Sequence, residues 1–274
     1  MTINCNGKLI SLIKPKVMGI LNVTPDSFFD GGKYKDNASI LQQVEKMLSN
    51  GATFIDIGAY STRPGALEVN EHTELERIVP IATLILKEFP EALLSIDTFR
   101  SNVAKECVSR GASIINDISA GLQDKEMLNT VAKLNVPYIM MHMKGTPQNM
   151  QQQTDYNDVF KELLSFFSER LSTAKSLGIK DIIIDPGFGF AKNLKQNYEL
   201  LRQLEMMSFI EHPLLAGISR KSMIYKVIET TPDYALNGTT ALHMVCLQKG
   251  AKILRAHDVK EAMECVKLYE QLNA

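Results

Sequence analysis

Eight short apolar runs are spaced along the whole chain: Val17–Leu21, Thr53–Ile57, Leu93–Asp97, Ser113–Asn116, Val136–His142, Asp181–Asp185, Pro213–Gly217 and Lys252–Arg255. Between them lie stretches whose apolar residues recur at helical spacing. Examples are Ile40, Leu41, Val44, Met47 and Leu48, and Val159, Phe160, Leu163, Leu164, Phe167 and Leu171. The runs are too uniformly apolar for a sheet with one face in water. Strands covered on both sides by crossover helices are expected instead. Eight such units specify an α/β chain folded as a single (β/α)8 TIM barrel, with an open doubly wound sheet as the competing architecture.

The 274 residues contain no linker or low-complexity stretch that would divide them, so residues 1–274 are expected to form one domain. Residues 1–16 are a short lead-in, with a hairpin turn at Asn6-Gly7. Helices are expected over about 38–50, 71–88, 101–111, 124–134, 158–177 and 259–272, with shorter pieces around 198–204, 223–228 and 238–248. Pro80 should kink or split the second of these, and Ser101 should cap the third.

A net charge of −1 gives no global basic footprint for nucleic acid. No run approaches the ~20 apolar residues of a membrane span, and the start of the chain lacks the pattern of a secretion signal. The four Cys are scattered and form no C-x-x-C pair, which fits core filling in a reducing cytoplasm. The five His make no H-x-H or H-E-x-x-H pattern.

In such a barrel the working groups sit at the C-terminal ends of the strands. Those ends here are Asn22, Asp56, Asp97, Asn116, His142, Asp185, Ser219 and Arg255, with Thr62, Arg63, Lys144, Arg220, Lys221 and His257 just beyond. One such Asp or Asn is as often a helix cap as a ligand, and Asp56, inside an apolar run, reads as structural. Convergence is what carries the reading. Asp97, Asn116 and Asp185 suit a planar heterocycle bearing several N–H donors. Met140, Ile118 and Phe190 are candidate apolar walls. Arg63, Arg220, Lys221, Arg255 and His257 form a positive side suited to a phosphate or diphosphate, and Asn22 with the Asp26 loop could help hold Mg²⁺ on it.

Taken in order, the motifs resemble those of the dihydropteroate synthase family. They are Met18–Phe28 with Asp30-Gly31-Gly32, Ser61–Gly65, Ser95–Thr98, Ile114–Asp117, Met141-His142-Met143, Asp185–Asn193, Ser219–Ser222 and Arg255–Val259. The departures are Ala59-Tyr60 before the Ser61 loop, Phe29 where Ser is common, and Ala256 where Val is usual. None removes a polar group needed below.

The resemblance implies a homodimeric barrel that joins 4-aminobenzoate to 6-hydroxymethyl-7,8-dihydropterin diphosphate by an SN1-like route and releases pyrophosphate. It implies that Asp97, Asn116, Asp185 and Lys221 hold the pterin, and that Met140 and Arg255 flank its ring. Asn22, Arg63, Arg255 and His257 would bind the diphosphate, Asn22 would ligate Mg²⁺, and Thr62 would lie beside both. Thr62, Pro64, Phe190, Lys221 and Ser222 would shape the 4-aminobenzoate pocket. Asp97, Asp185, Lys221 and Arg255 would act in catalysis, under mobile loops at Thr24–Lys35 and Gly58–Val69. A methyltetrahydrofolate–corrinoid methyltransferase would share the three pterin contacts but has no use for the cations. A non-catalytic pterin-binding protein is the alternative from another class.

Overall fold

The computed structural model describes residues 1–23, 37–60 and 69–274. A hairpin of β1 (Thr2–Cys5) and β2 (Lys8–Ser11) leads in, turning at Asn6 and Gly7, both with positive φ. The barrel follows as β3 (Lys16–Asn22), α1 (Asn37–Ser49), β4 (Phe54–Gly58), α2 (Glu71–Glu88), β5 (Leu93–Asp97), α3 (Ser101–Ser109), β6 (Ile114–Asp117) and α4 (Met127–Leu134). It continues through β7 (Tyr138–Met141), α5 (Val159–Ser176), β8 (Ile182–Asp185), α6 (Leu194–Arg202), β9 (Leu215–Ala216), α7 (Ser222–Tyr225), α8 (Leu236–Gln248), β10 (Ile253–Ala256) and α9 (Val259–Leu272).

All eight barrel strands pair in parallel, in the order β8-β7-β6-β5-β4-β3-β10-β9. A bridge between Ile184 and Leu214 joins the two ends and closes the ring. The expected barrel is therefore the observed one, and the open sheet is excluded.

Strand alternation sorts the interior into layers. The floor is one apolar side chain per strand: Met18, Phe54, Leu93, Ile114, Ile139, Ile183, Leu215 and Ile253. The hairpin closes this end from below, adding Ile3, Cys5 and Leu12 to the same cluster. It is tied on by Asn4 N–H to Asp181 Oδ2 (3.0 Å) and by the Asn6 amide to the Gly111 and Ala112 carbonyls. Two residues further along each strand come Ile20, Asp56, Ser95, Asn116, Met141, Asp185, Gly217 and Arg255. Each floor side chain contributes on the order of 1.5–3 kcal/mol through burial. The layer above, largely polar and charged, cannot stabilise the fold in that way.

The outward residues pack against the helices in a continuous second core. All four cysteines are buried thiols, and burial raises Cys5 and Cys107 to about 12, which suits inert fillers. Two local expectations are corrected. α2 is not split at Pro80: it runs as one helix, with Pro80 on the exposed face and Ile78, Ala82 and Ile85 holding the inner one. Ser101 is not a cap: it is the first helical residue, and its N–H donates to Asp124 Oδ2 at 2.7 Å. A carboxylate distant in sequence supplies what the local hydroxyl was expected to supply.

Candidate active site

The mouth is built on one register line. Asn22 pairs with Gly58, Gly58 with Asp97, and Asp97 with Asn116, so three strand-end polar groups stand side by side. Gly58 leaves the room between them, since a Cβ there would lie 3.4 Å from Asp97 Cβ. Arg255 reaches across from β10. Its Nε donates to Asp56 Oδ2 at 2.6 Å and its Nη2 to Asp97 Oδ2 at 2.7 Å. Asn116 Nδ2 donates to the same Asp56 oxygen at 3.0 Å. Burial pushes the Asp97 carboxyl up to about 7 against the pull of Arg255, with Asp56 adding repulsion.

Asp185 closes the opposite wall. Its Oδ1 accepts the Gly187 N–H at 2.8 Å, and Gly217 keeps the space beside Oδ2 open. Burial also raises its pKa, opposed by Lys221. Lys221 is the N-cap residue of α7. Its ammonium donates to the Phe188 carbonyl and sits 4.5 Å from the centre of the Phe190 ring. Burial lowers Lys221 to about 8 despite the attraction of Asp185. Ser222 follows at the first turn of α7. Ser219 Oγ lies 3.0 Å from His257 Nδ1 and accepts the His257 N–H at 3.2 Å.

The loop after β8 turns on Gly187 and Gly189, both with positive φ. A Cβ on Gly187 would meet the His142 carbonyl oxygen at 2.2 Å, and one on Gly189 would meet Lys221 Cδ at 3.1 Å. Lys192, buried beneath this loop, has its Nζ 3.0 Å from the Gly187 and Phe190 carbonyl oxygens and from His142 Nδ1. Burial lowers Lys192 to about 7 and His142 to about 2, so this imidazole is neutral and accepts from the ammonium.

Several expected site residues are elsewhere. Met140 packs outward in the helix-side core, and the neighbour that faces the mouth is Met141, clustered with Ile118 and near Phe190. One residue along a strand reverses the face. Arg220 grips Asp258 with two nitrogens, at 2.7 and 2.9 Å, and the Pro232 and Asp233 carbonyls with a third. It braces the loops behind the mouth. Lys144 is engaged by Glu162 at 2.7 Å and the Asp155 carbonyl at 2.8 Å. His142 is in the wall, edge-on to Phe166. Thr62, Arg63, Pro64 and the Thr24–Lys35 loop lie outside the described residues.

Sequence reasoning named Asp56 but set it aside as structural, and it did not single out Lys192 or Arg100. Arg100 donates to Val69 O at 2.6 Å and to buried Glu74, and lies 5.3 Å from the Tyr60 ring centre. It thus holds the chain on both sides of residues 61–68.

The model of the family described as "Pterin binding enzyme" matches residues 18–257. A dihydropteroate synthase of Haemophilus influenzae is 43% identical over 272 residues, 98% of each chain. The Yersinia pestis dihydropteroate synthase, solved with a sulfonamide drug complex, superposes with a TM-score of 0.96 at 42% identity, covering 100% of this chain and 99% of that one. A Xanthomonas albilineans dihydropteroate synthase solved with 4-aminobenzoic acid gives 0.92 at 36% identity, covering 100% and 98%. By its barrel, by its polar mouth and by these likenesses, the chain belongs to the dihydropteroate synthase family of pterin-binding enzymes.

Proposed function

We propose that this chain is a transferase that condenses 6-hydroxymethyl-7,8-dihydropterin diphosphate with 4-aminobenzoate, giving 7,8-dihydropteroate and pyrophosphate. The observation that carries the reading is the set Asp97, Asn116, Asp185, Lys221 and Arg255 converging on one mouth above an apolar floor. Two carboxylates, buried Asp185 and half-buried Asp97, and an amide offer acceptors to the N–H edge of a pterin, and Lys221 offers a donor to its carbonyl side. Arg255 and His257 face the diphosphate; the family resemblance adds Arg63, which lies outside the described residues.

The chemistry is electrostatic. Cations at the mouth stabilise charge on the departing pyrophosphate. Asp97 and Asp185 stabilise positive charge on the pterin as the C–O bond breaks. The amine of 4-aminobenzoate then attacks, held beside Phe190, Lys221 and Ser222; the family resemblance adds Thr62 and Pro64, which lie outside the described residues. Met141 takes the place in the pterin wall first given to Met140.

Among the described residues no three His, Cys, Asp or Glu cluster as a metal cage. Mg²⁺ needs none when a diphosphate supplies oxygens. The amide oxygen of Asn22 at the end of β3 is a hard donor of the right kind. When bound there, Mg²⁺ would neutralise charge on the leaving group.

We assign the chain to the cytoplasm as one domain, residues 1–274. No helix among the described residues is long and apolar enough to cross a membrane. A homodimer is supported by exposed Val227, Ile228, Tyr234, Leu268 and Leu272 on and beside α7, α8 and α9. Sedimentation that returns a monomer at micromolar concentration would remove that assignment.

The test of the reaction is a coupled pyrophosphate assay. Release is expected only when 4-aminobenzoate is present with the pterin diphosphate and Mg²⁺. Methyl transfer from methyltetrahydrofolate, or pterin binding with no product, would overturn the reading.

A further inference from the structure

We propose that Asp56 is a positioning residue of this site: a single carboxylate oxygen sets the arginine that faces the leaving group and the amide that reads the heterocycle in one frame. The proposal rests on the pterin-condensing reading above and names a residue that touches neither substrate.

The geometry is specific. Asp56 Oδ2 accepts Arg255 Nε at 2.6 Å and Asn116 Nδ2 at 3.0 Å. Those donors come from β10 and β6, on either side of the barrel interior. Arg255 Nη2 is also fixed, by Asp97 at 2.7 Å. Nη1 is the guanidinium nitrogen that makes no hydrogen bond among the described residues. The side chain therefore presents one defined end to a ligand. A free arginine carries about 2 kcal/mol of rotamer entropy, and ordering it before substrate arrives removes that cost from binding.

Fold stability does not account for Asp56. It is fully buried, and its other oxygen, Oδ1, has no hydrogen-bond partner among the described residues. A buried carboxylate half satisfied is a poor stabiliser, and an apolar residue of similar volume would suit this strand better. Its neighbours Ile55 and Ile57 are entirely buried. Arg255 would keep Asp97 as a hydrogen-bond partner without it. What Asp56 alone provides is the link between Arg255 and Asn116.

The experiment compares Asp56→Val, which removes both acceptor oxygens, with Asp56→Asn, which keeps one. Ser95→Ala serves as the control, because it removes a buried hydroxyl from the neighbouring strand in register with Asp56 and holds no site residue. Calorimetry gives the affinity for pterin diphosphate, and steady-state kinetics give KM for each substrate. Asp56→Val should weaken pterin diphosphate binding about tenfold or more, Asp56→Asn about threefold, and Ser95→Ala less than twofold. KM for 4-aminobenzoate should stay within about threefold of wild type in all three. The proposal is overturned if Asp56→Val binds pterin diphosphate within twofold of wild type. It is equally overturned if both substrates weaken in parallel, as a general loosening would cause. Should Asp56→Val not fold, Asp56→Asn decides: a loss confined to pterin diphosphate supports the proposal, and a shared loss or none overturns it. Wild-type pyrophosphate release tests the parent reading separately. The Asp56 result is a ratio of affinities and is read whatever that assay returns.

Discussion

On the β4, β5, β6 and β10 side of the mouth, the polar groups are borne by the strands themselves, and they hold one another through side-chain bonds among Asp56, Asp97, Asn116 and Arg255. On the β8 and β9 side, beyond Asp185, the working surface is a loop. Its carbonyls turn inward and two ammonium groups hold them, buried Lys192 at Gly187 and Phe190 and half-buried Lys221 at Phe188. The first side inherits its precision from the sheet. The second is stitched together by charges that burial opposes, lowering them to about 7 and 8. Damage to the stitched side should therefore spread to the whole loop, whereas damage to the strand side should stay within the bonded set of Asp56, Asp97, Asn116 and Arg255.

The largest expected effect is Gly187→Ala. A positive φ of 70° and a Cβ 2.2 Å from a backbone oxygen leave no local remedy. A loss of ~4 kcal/mol in denaturant unfolding is expected, with turnover abolished. Next, Lys192→Met leaves two loop carbonyls and His142 without their donor. It should cost ~3 kcal/mol and raise KM for 4-aminobenzoate more than that for the pterin. Equal rises would break the contrast between the two sides.

Asp185→Asn and Lys221→Ala should each lower turnover at least about tenfold, the equivalent of ~1.4 kcal/mol, with the fold intact by thermal melting. The strand side offers a subtler test. Folded Asp97 keeps its proton up to about 7, against 3.8 in the unfolded chain. The stability linked to that proton is full below 3.8 and is lost as the pH rises through about 7. Melting curves should thus show Asp97→Asn gaining on wild type between those values, and parallel curves would contradict the assignment. The smallest effect is at Lys144, whose partly exposed pair with Glu162 should contribute less than ~1 kcal/mol. Lys144→Ala should leave kcat within about twofold.

The barrel was legible because eight buried strands alternating with amphipathic helices admit few arrangements. Most of the mouth was legible too, since a parallel barrel gathers its strand ends by construction. What failed was finer than element order. Asp56 read as structural because it lies in an apolar run, yet counting in twos from Phe54 through Asp56 to Gly58 places it inside the barrel. The same count separates Met141 from Met140. Arg220 and Lys144 show a different limit. A cation near a site on the chain binds substrate only if nothing else claims it, and their partners Asp258 and Glu162 lie 38 and 18 residues away. Lys192 had no local signature, because its task is to satisfy carbonyls that appear only once the loop has turned.

The hairpin under the barrel has a consequence for traffic. With Ile3, Cys5 and Leu12 stoppering the floor, the described residues close the interior at that end and leave it reached from the strand-end mouth. Both substrates enter, and both products leave, past the same rim of Asn22, Lys221 and His257. The hairpin thus decides which end of the barrel serves as the way in, without touching any group at the mouth.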